Sequence, residues 1–563
     1  MSYKKVNKLR TAIYVMVFSG CITSVFATLP NNSAESVPQV IASRIQLTNG
    51  SSRMMCAAKL RCSLSATSQF YQSRNYQPVW FNNGQLIADT EKVIDILRFS
   101  YRDGLNPEDY NAHLLRTMYV NISTQLASGQ TVSPEVASDF DVTLSDAYLL
   151  YSRHMEFGRV DNFSAYQDWK INKRYANTVT LFSDAANSGN LAKNLQNLTP
   201  TYPGYGKLKL QLAKYQQIAA HGGWKTIPGK GGIKRGSRGK QVTLLAERIA
   251  ATENYTLPDG AVVFDDDLRD GVKQFQGENG LKANGVVDAT TLAALNIPVE
   301  QRLKQIAINM DRMRWLPNDL GNPYLMVNIP NYSLIISKDG QTEMSMPVIV
   351  GGGGNNKTCV VNSQINMLEL NPYWGIPYRI ATKEYLRKIQ ESPNYLYEHN
   401  IRVYRQSDNQ EVDPETINWH GVTATNFKYF LRQDPGKKNA LGRVKFMFNN
   451  DCGIYLHDTS NPKLFAKYSR SLSHGCVRVS EPIALADYLI AGNPNWSSDR
   501  LESAISSGKH RWLKLDQPLP IHIVYWTTWV NNQDQLQFRK DIYKTESVNF
   551  PVFIPKAKES NSE

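Results

Sequence analysis

The chain has 563 residues, 42% of them hydrophobic, and a formal net charge of +13. That length exceeds what one hydrophobic core holds and points to about three or four domains. The positive excess gathers into no basic arm, which, with the export signal below, argues against a nucleic-acid partner; it suits an anionic envelope, or simply keeps the chain soluble.

Residues 1–27 read as a secretory signal. Lys4, Lys5, Lys8 and Arg10 precede the apolar stretch from Ala12 to Phe18, and Val25-Phe26-Ala27 offers a small-residue cleavage site. Phe18-Ser19-Gly20-Cys21 is also close to a lipoprotein box, with Phe where Leu is usual, so a lipid anchor on Cys21 is the alternative. The expected location is the periplasm or cell envelope, and no later segment reads as a membrane span. Residues 28–63 are polar and rich in Asn and Ser, and read as a flexible entry segment. From 64 to 222 the periodicity is helical, as in Glu91 to Ser100 and Leu144 to Phe157, with breaks at Asn106-Pro107 and Tyr202-Pro203-Gly204. Residues 223–239, rich in Gly, Lys and Arg, read as a linker. A small helical unit follows over 240–298: Lys240 to Ala251, Asp265 to Gln276 with Leu268, Val272 and Phe275 on one face, and Asp288 to Leu295 with Asp288 as candidate N-cap.

From Tyr324 the pattern changes to short alternating runs, Tyr324 to Ile329, Tyr332 to Ser337 and Thr342 to Val350, with Asp339-Gly340 as a hairpin turn. Gly351 to Gly354 lacks the Lys-Ser/Thr ending of a phosphate loop and reads as a flexible loop. A long insertion at about 371–441 is a candidate lid. Ala484 to Ile490 reads as a helix, Leu519 to Val530 and Gln535 to Tyr543 as a terminal hairpin or sheet edge, and 544–563 as a tail.

The chemistry concentrates in Ser473-His474-Gly475-Cys476-Val477-Arg478 and in His457 on the run Gly453 to Asp458. A thiol is a poor nucleophile until it loses its proton, and a nearby imidazole can take it. Strand alternation places Tyr455 and His457 on one face and Asp458 on the other, so a backbone carbonyl is the better partner for the His457 ring. Gly475 permits positive φ or close approach to a substrate carbonyl. If the chain is extended there, His474, Cys476 and Arg478 share a face. Against this stand a buried structural Cys and a satisfied core His, or zinc held by His457, His474 and Cys476, for which no fourth ligand or CxxC spacing is evident. Of six cysteines, Cys21 leaves with the signal and Cys476 is reserved for chemistry; Cys56 with Cys62 and Cys359 with Cys452 are the expected bridges.

An upstream His followed by Ser-His-Gly-Cys closely resembles the L,D-transpeptidases with a YkuD-type catalytic domain. Phe70-Tyr71-Gln72 to Pro78-Val79-Trp80 is similar to the helical scaffold of their large forms. Val272-Lys273-Gln274-Phe275-Gln276 with Asn284 to Asp288 resembles the three-helix peptidoglycan-binding module, which can also serve only as a spacer. The resemblance implies a multidomain α+β protein: helical scaffold, small binding module, and β-rich catalytic domain at 322–543 with an inserted lid. It assigns Cys476 as nucleophile and His457 as proton carrier, with Gly475, His474, Ser473 and Tyr455 as motif or oxyanion support. Arg478 stands where smaller members carry Asn, and either meets a substrate carboxylate or forms a structural salt bridge. Trp374 and Tyr373, at the base of the lid, and Tyr455 are the candidate substrate-lining aromatics, simple packing being the alternative. The implied partners are peptidoglycan stem peptides, a donor tetrapeptide and an acceptor amine, with carbapenem-type inhibitors acylating the same thiol. No metal or organic cofactor is implied. A carboxypeptidase or endopeptidase on the same scaffold, or a noncatalytic wall-binding protein, is the alternative.

Overall fold

The computed structural model describes residues 35–46, 64–159, 169–170, 177–253, 255–260, 262–547 and 550–555. The secretory signal, Cys21 and the Cys56–Cys62 pair fall outside them. Within the entry segment the chain forms helix α1 (Val37–Gln46), which buries Ile41 and Ile45 and pairs Arg44 with Asp139, so this stretch is not the flexible segment its polarity suggests. It packs on α2 (Pro134–Phe157), whose start at Ser133-Pro134 pairs an N-capping hydroxyl with a proline that needs no amide donor. Around α2 the apolar faces of the N-terminal helices form one core centred on Phe70, Trp80, Tyr148 and Phe182. Asp141, buried inside it, accepts from the Tyr71 hydroxyl and from the Val79 and Trp80 amides.

The small unit has α4 (Lys240–Thr252), α5 (Asp266–Glu278) and α6 (Ala289–Leu295), preceded by α3 (Pro203–Ala220) of the scaffold. Asp288 caps α6 through the Thr291 amide at 2.7 Å, and Leu268, Val272 and Phe275 are buried. Residues 223–239 are not a free linker. Ile227 and Ile233 are buried in this unit's core, and Ile233 bridges to Val287. Helix α7 (Val299–Met313), which the sequence reading passed over, runs from the unit to the β domain and packs on α3 with Tyr205, Leu212, Leu303 and Met310. The segment beyond 543 is not a loose tail: Phe550 is buried against Ala307 and Ile308, and Glu546 pairs with Arg312 at 2.9 Å.

The β domain has β1 (Tyr324–Asn328), β2 (Ser333–Lys338), β3 (Gln341–Gly351), β4 (Val360–Leu370), β5 (Val444–Phe448), β6 (Leu456–His457), β7 (Ser471–Ser473), β8 (Val477–Val479) and β9 (Arg511–Val524). Asp339 and Gly340 turn β2 into β3, both at positive φ (51° and 75°), the turn that matches strand twist. Because β4 pairs with both β9 and β5, the pairing path β5-β6-β8-β3-β2-β1-β9-β4 closes on itself. Inside sit Leu325, Val327, Val348, Leu368, Phe446, Leu456, Val477 and Ile521. Leu519 to Val530 is not one strand of a terminal hairpin: its first half ends β9, central in the sheet, and only Thr528–Val530 pairs with Leu536–Phe538. Burial alternates at Leu513 and Leu515, whereas Ile521, His522, Ile523 and Val524 are all buried, as in a strand covered on both faces. Cys359 and Cys452 form a disulfide.

The insertion is a folded unit with its own four-stranded sheet and a core of Ile376, Leu396, Val403, Trp419 and Leu431. It meets the β domain where Arg379 donates to the Asn355 carbonyl and Glu384 contacts His474.

Candidate active site

Two short parallel strands carry the reactive groups. Strand β6 pairs with β8 in the register Leu456 to Val477 and His457 to Arg478. Leu456 and Val477 point into the core, so His457 on β6 and Arg478 on β8 stand on the outer face, with Tyr455 and Cys476 in the residues just before those strands. Cys476 is the free cysteine among the described residues and is partly exposed. Tyr455 lies beside Cys476, where its amide and hydroxyl favour the ionised sulfur, and the Tyr455 and His457 rings lie 5.7 Å apart.

The turn before Cys476 explains the glycine. The chain bends between β7 and β8 instead of running extended, and Gly475 takes φ +128°. Ser473 Oγ donates to the Cys476 carbonyl at 2.5 Å and accepts from the Gly475 amide at 3.2 Å, so Ser473 ties the turn together. Thr358, 1% exposed, braces it from outside: its Oγ1 donates to the Gly475 carbonyl at 2.7 Å and accepts from the Gly351 amide at 2.8 Å.

The bend breaks the shared face expected for the motif. His474 turns outward to the lid and meets Glu384 Oε1 at 2.5 Å, and among the described residues no three His, Cys, Asp or Glu side chains converge on one point. Asp458 faces away from His457, accepting from the Arg443 and Thr459 amides. The His457 Nδ1 is buried without a hydrogen bond of good geometry, though the Leu441 and Asp458 backbones lie close enough to favour its protonated form. Burial, then the Arg478 charge, outweigh them and press the imidazole down to about 3. Burial pushes the Cys476 thiol up, against the Tyr455 donors and the Lys445 and Arg478 charges. At neutral pH Cys476 therefore rests as a thiol and His457 as a neutral imidazole. Tyr455, buried, keeps its proton and remains a donor.

Arg478 is mostly buried beside the lid's Tyr385, and its Nε has no hydrogen-bond partner. A guanidinium so placed can take an anionic group. Trp374 packs edge-on to Tyr385, 5.9 Å between rings, as part of the lid base. Tyr373 is 41% exposed, with the Arg432 guanidinium 4.7 Å from its ring centre.

Sequence reasoning passed over Lys445, Glu369, Thr358 and Glu384. Lys445 and Glu369 carried a signal: each is a lone charge inside an apolar run, Val444-Lys445-Phe446 and Leu368-Glu369-Leu370, and alternation turns both out of the core.

Residues 322–495 match the family described as "L,D-transpeptidase catalytic domain", residues 238–295 a "Putative peptidoglycan binding domain" and residues 65–212 a "Scaffold domain". A "Putative L,D-transpeptidase" of Haemophilus influenzae is 32% identical over 286 residues, 50% of this chain and 56% of that protein. The chain thus spans about half the length of that curated relative. Crystal structures of L,D-transpeptidases from Xylanimonas cellulosilytica and Stackebrandtia nassauensis are each 15% identical and cover 53% of this chain, with 99% and 97% of their own and TM-scores of 0.18 and 0.20.

Proposed function

Because this chain carries a YkuD-type L,D-transpeptidase catalytic domain beside a scaffold domain and a peptidoglycan-binding module, we propose that it forms three-to-three peptidoglycan cross-links through a thioester on Cys476. The observation that supports this most is the placement of the free Cys476 thiol and the buried His457 imidazole at one pair of neighbouring strands, with Tyr455 beside the sulfur.

As sulfur attacks the carbonyl between the third stem residue and a terminal D-alanine, His457 takes the thiol proton. The C–N bond breaks, the leaving amine takes that proton from His457, and a thioester remains. A side-chain amine of a second stem then attacks, His457 removes its proton, and the thiol returns. The Gly475 amide is engaged by Ser473, so the Cys476 amide and the Tyr455 hydroxyl serve the oxyanion. Arg478 binds a stem carboxylate, and the lid limits water in the second step. Carbapenem-type β-lactams acylate the same sulfur, and the protein works after export, in the periplasm or cell envelope.

The test is mass spectrometry of stem tetrapeptide or muropeptide incubated with wild type and with Cys476→Ala. A dimer lacking one D-alanine, made by wild type alone, supports transpeptidation. Tripeptide with free D-alanine indicates a carboxypeptidase, and no thiol-dependent product leaves a wall-binding protein.

A further inference from the structure

On the outer face of the closed sheet one register row crosses five strands: Trp512 on β9, Glu369 on β4, Lys445 on β5, His457 on β6 and Arg478 on β8. Neighbouring strands lie about 4.8 Å apart, so Lys445 is one strand from the imidazole. Its Nζ is 3.1 Å from Glu369 Oε2, with side chains 14% and 7% exposed. The other Glu369 oxygen lies 3.0 Å from His510 Nε2. The Lys445 ammonium also sits 4.3 Å from the centre of the Tyr455 ring, and the Tyr455 donors and the Lys445 charge both favour the ionised Cys476 sulfur.

A buried ion pair is a poor stability device, because desolvating both charges costs about what their attraction returns. This one is built against the reactive face, where a cation over an aromatic ring both fixes the ring and extends positive potential across it. We propose that Lys445 is a positioning residue for acyl transfer: anchored by Glu369, its ammonium holds Tyr455 against Cys476 and supplies the positive charge that the sulfur faces as it becomes an anion. The assignment rests on Cys476 being the nucleophile.

The charged and titratable groups around the sulfur come from four directions. His457 lies on β6 with Tyr455 just before it, Lys445 on β5 with Glu369 behind it on β4, Arg478 on β8, and Tyr385 on the lid. Arg478 is free to be neutralised by a substrate carboxylate, whereas Lys445 is held by the protein's own Glu369 whether or not substrate is bound. The two cations therefore divide the work: one for substrate, one for sulfur.

The experiment uses the full chain and needs no turnover. The rate of iodoacetamide alkylation at Cys476, read by peptide mass spectrometry, is followed against pH for wild type, Lys445→Met and Lys445→Arg, with circular dichroism as the check on folding. Lys445→Met is expected to raise the alkylation midpoint by about one pH unit and to slow alkylation several-fold near neutrality. Lys445→Arg, which keeps the charge, is expected to titrate close to wild type. A folded Lys445→Met with the wild-type profile overturns the proposal, as does Lys445→Arg displaced as far as Lys445→Met. Lys445→Gln takes the methionine's place if that variant does not fold. Loss of the nucleophile assignment would appear separately, as cross-linking that survives in Cys476→Ala.

Discussion

Replacing Thr358 by Val removes one hydroxyl that two backbone groups share. The Gly351 amide donates to it at 2.8 Å and it donates to the Gly475 carbonyl at 2.7 Å, in a residue 1% exposed. Valine has nearly the same shape, so the dominant change is two buried backbone groups left unpaired, each worth about 1–3 kcal/mol. Because both relax together the effects do not add fully, and a loss of about 3 kcal/mol is expected. The catalytic effect is separate: Gly475 precedes the proposed nucleophile Cys476, and a displacement of about 1 Å costs on the order of 100-fold in rate. Urea unfolding gives the first quantity, and kcat/KM on stem tetrapeptide with an acceptor amine gives the second. Thr358→Ser keeps the hydroxyl and should recover most of both. If Thr358→Val unfolds within about 0.5 kcal/mol of wild type and turns over normally, the brace under Gly475 is not what positions Cys476.

Burial also holds His154 and His457 down to about 3. The unfolded chain then binds more protons than the folded one from about pH 6.5 down to that value, so stability is full above the window and falls as pH drops through it. At about pH 5 each residue accounts for about 2 kcal/mol of the loss; His154→Asn and His457→Gln should each remove that share of the pH dependence in unfolding measured at two pH values, and unchanged slopes would refute the burial argument. Gly475→Ala should cost about 1–3 kcal/mol of backbone strain, because φ is +128° and the added carbon would sit 3.4 Å from the Lys357 carbonyl; loss of cross-linking in a folded variant is the expected readout. The Cys359–Cys452 disulfide closes a sequence separation of 93 residues, so Cys359→Ser should lower stability by about 4–5 kcal/mol in the chain-entropy account, measured by thermal unfolding against a reduced wild-type control.

Local signals carried much of the fold. Period-two runs at 324–350 became β1 to β3 because one face of each meets the barrel core, and the Asp339-Gly340 turn needed positive φ at both residues. The cap and stripe of α5 and α6 were equally local. What stayed hidden was tertiary. The Gly, Lys and Arg content of 223–239 masks two isoleucines that find a core only when the module closes on them. Polarity likewise masks α1, which is held by contacts with α2 far along the chain. Helix α7 mixes Arg302, Asn309, Asp311 and Arg312 into its buried face; Asn309 and Arg312 are met by Tyr525, Thr527, Thr545 and Glu546, Arg302 by Asn279 and the Ala294 carbonyl, and Asp311 by Arg314 and the Arg159 amide, mostly partners that no local pattern links to the helix.

The site divides in the same way. The Cys476 motif, His457, Tyr455 and the positive φ of Gly475 were readable from residue chemistry and strand alternation. The direction of His474 was not, because the bend at Gly475 breaks that alternation and its partner Glu384 lies 90 residues away. Alternation marks Lys445 and Glu369 as outward charges, but their pairing beside His457 and the Thr358 brace on Gly475 are long-range contacts that one sequence does not display.

The most direct test is the intact mass of the protein mixed rapidly with stem tetrapeptide and quenched in acid, followed by mapping of the adduct. The account predicts a gain equal to the tripeptidyl stem, carried on Cys476, discharged by added amine and absent from Cys476→Ala. A cross-linked product formed without any acyl adduct on Cys476, or an adduct on another residue, would contradict it.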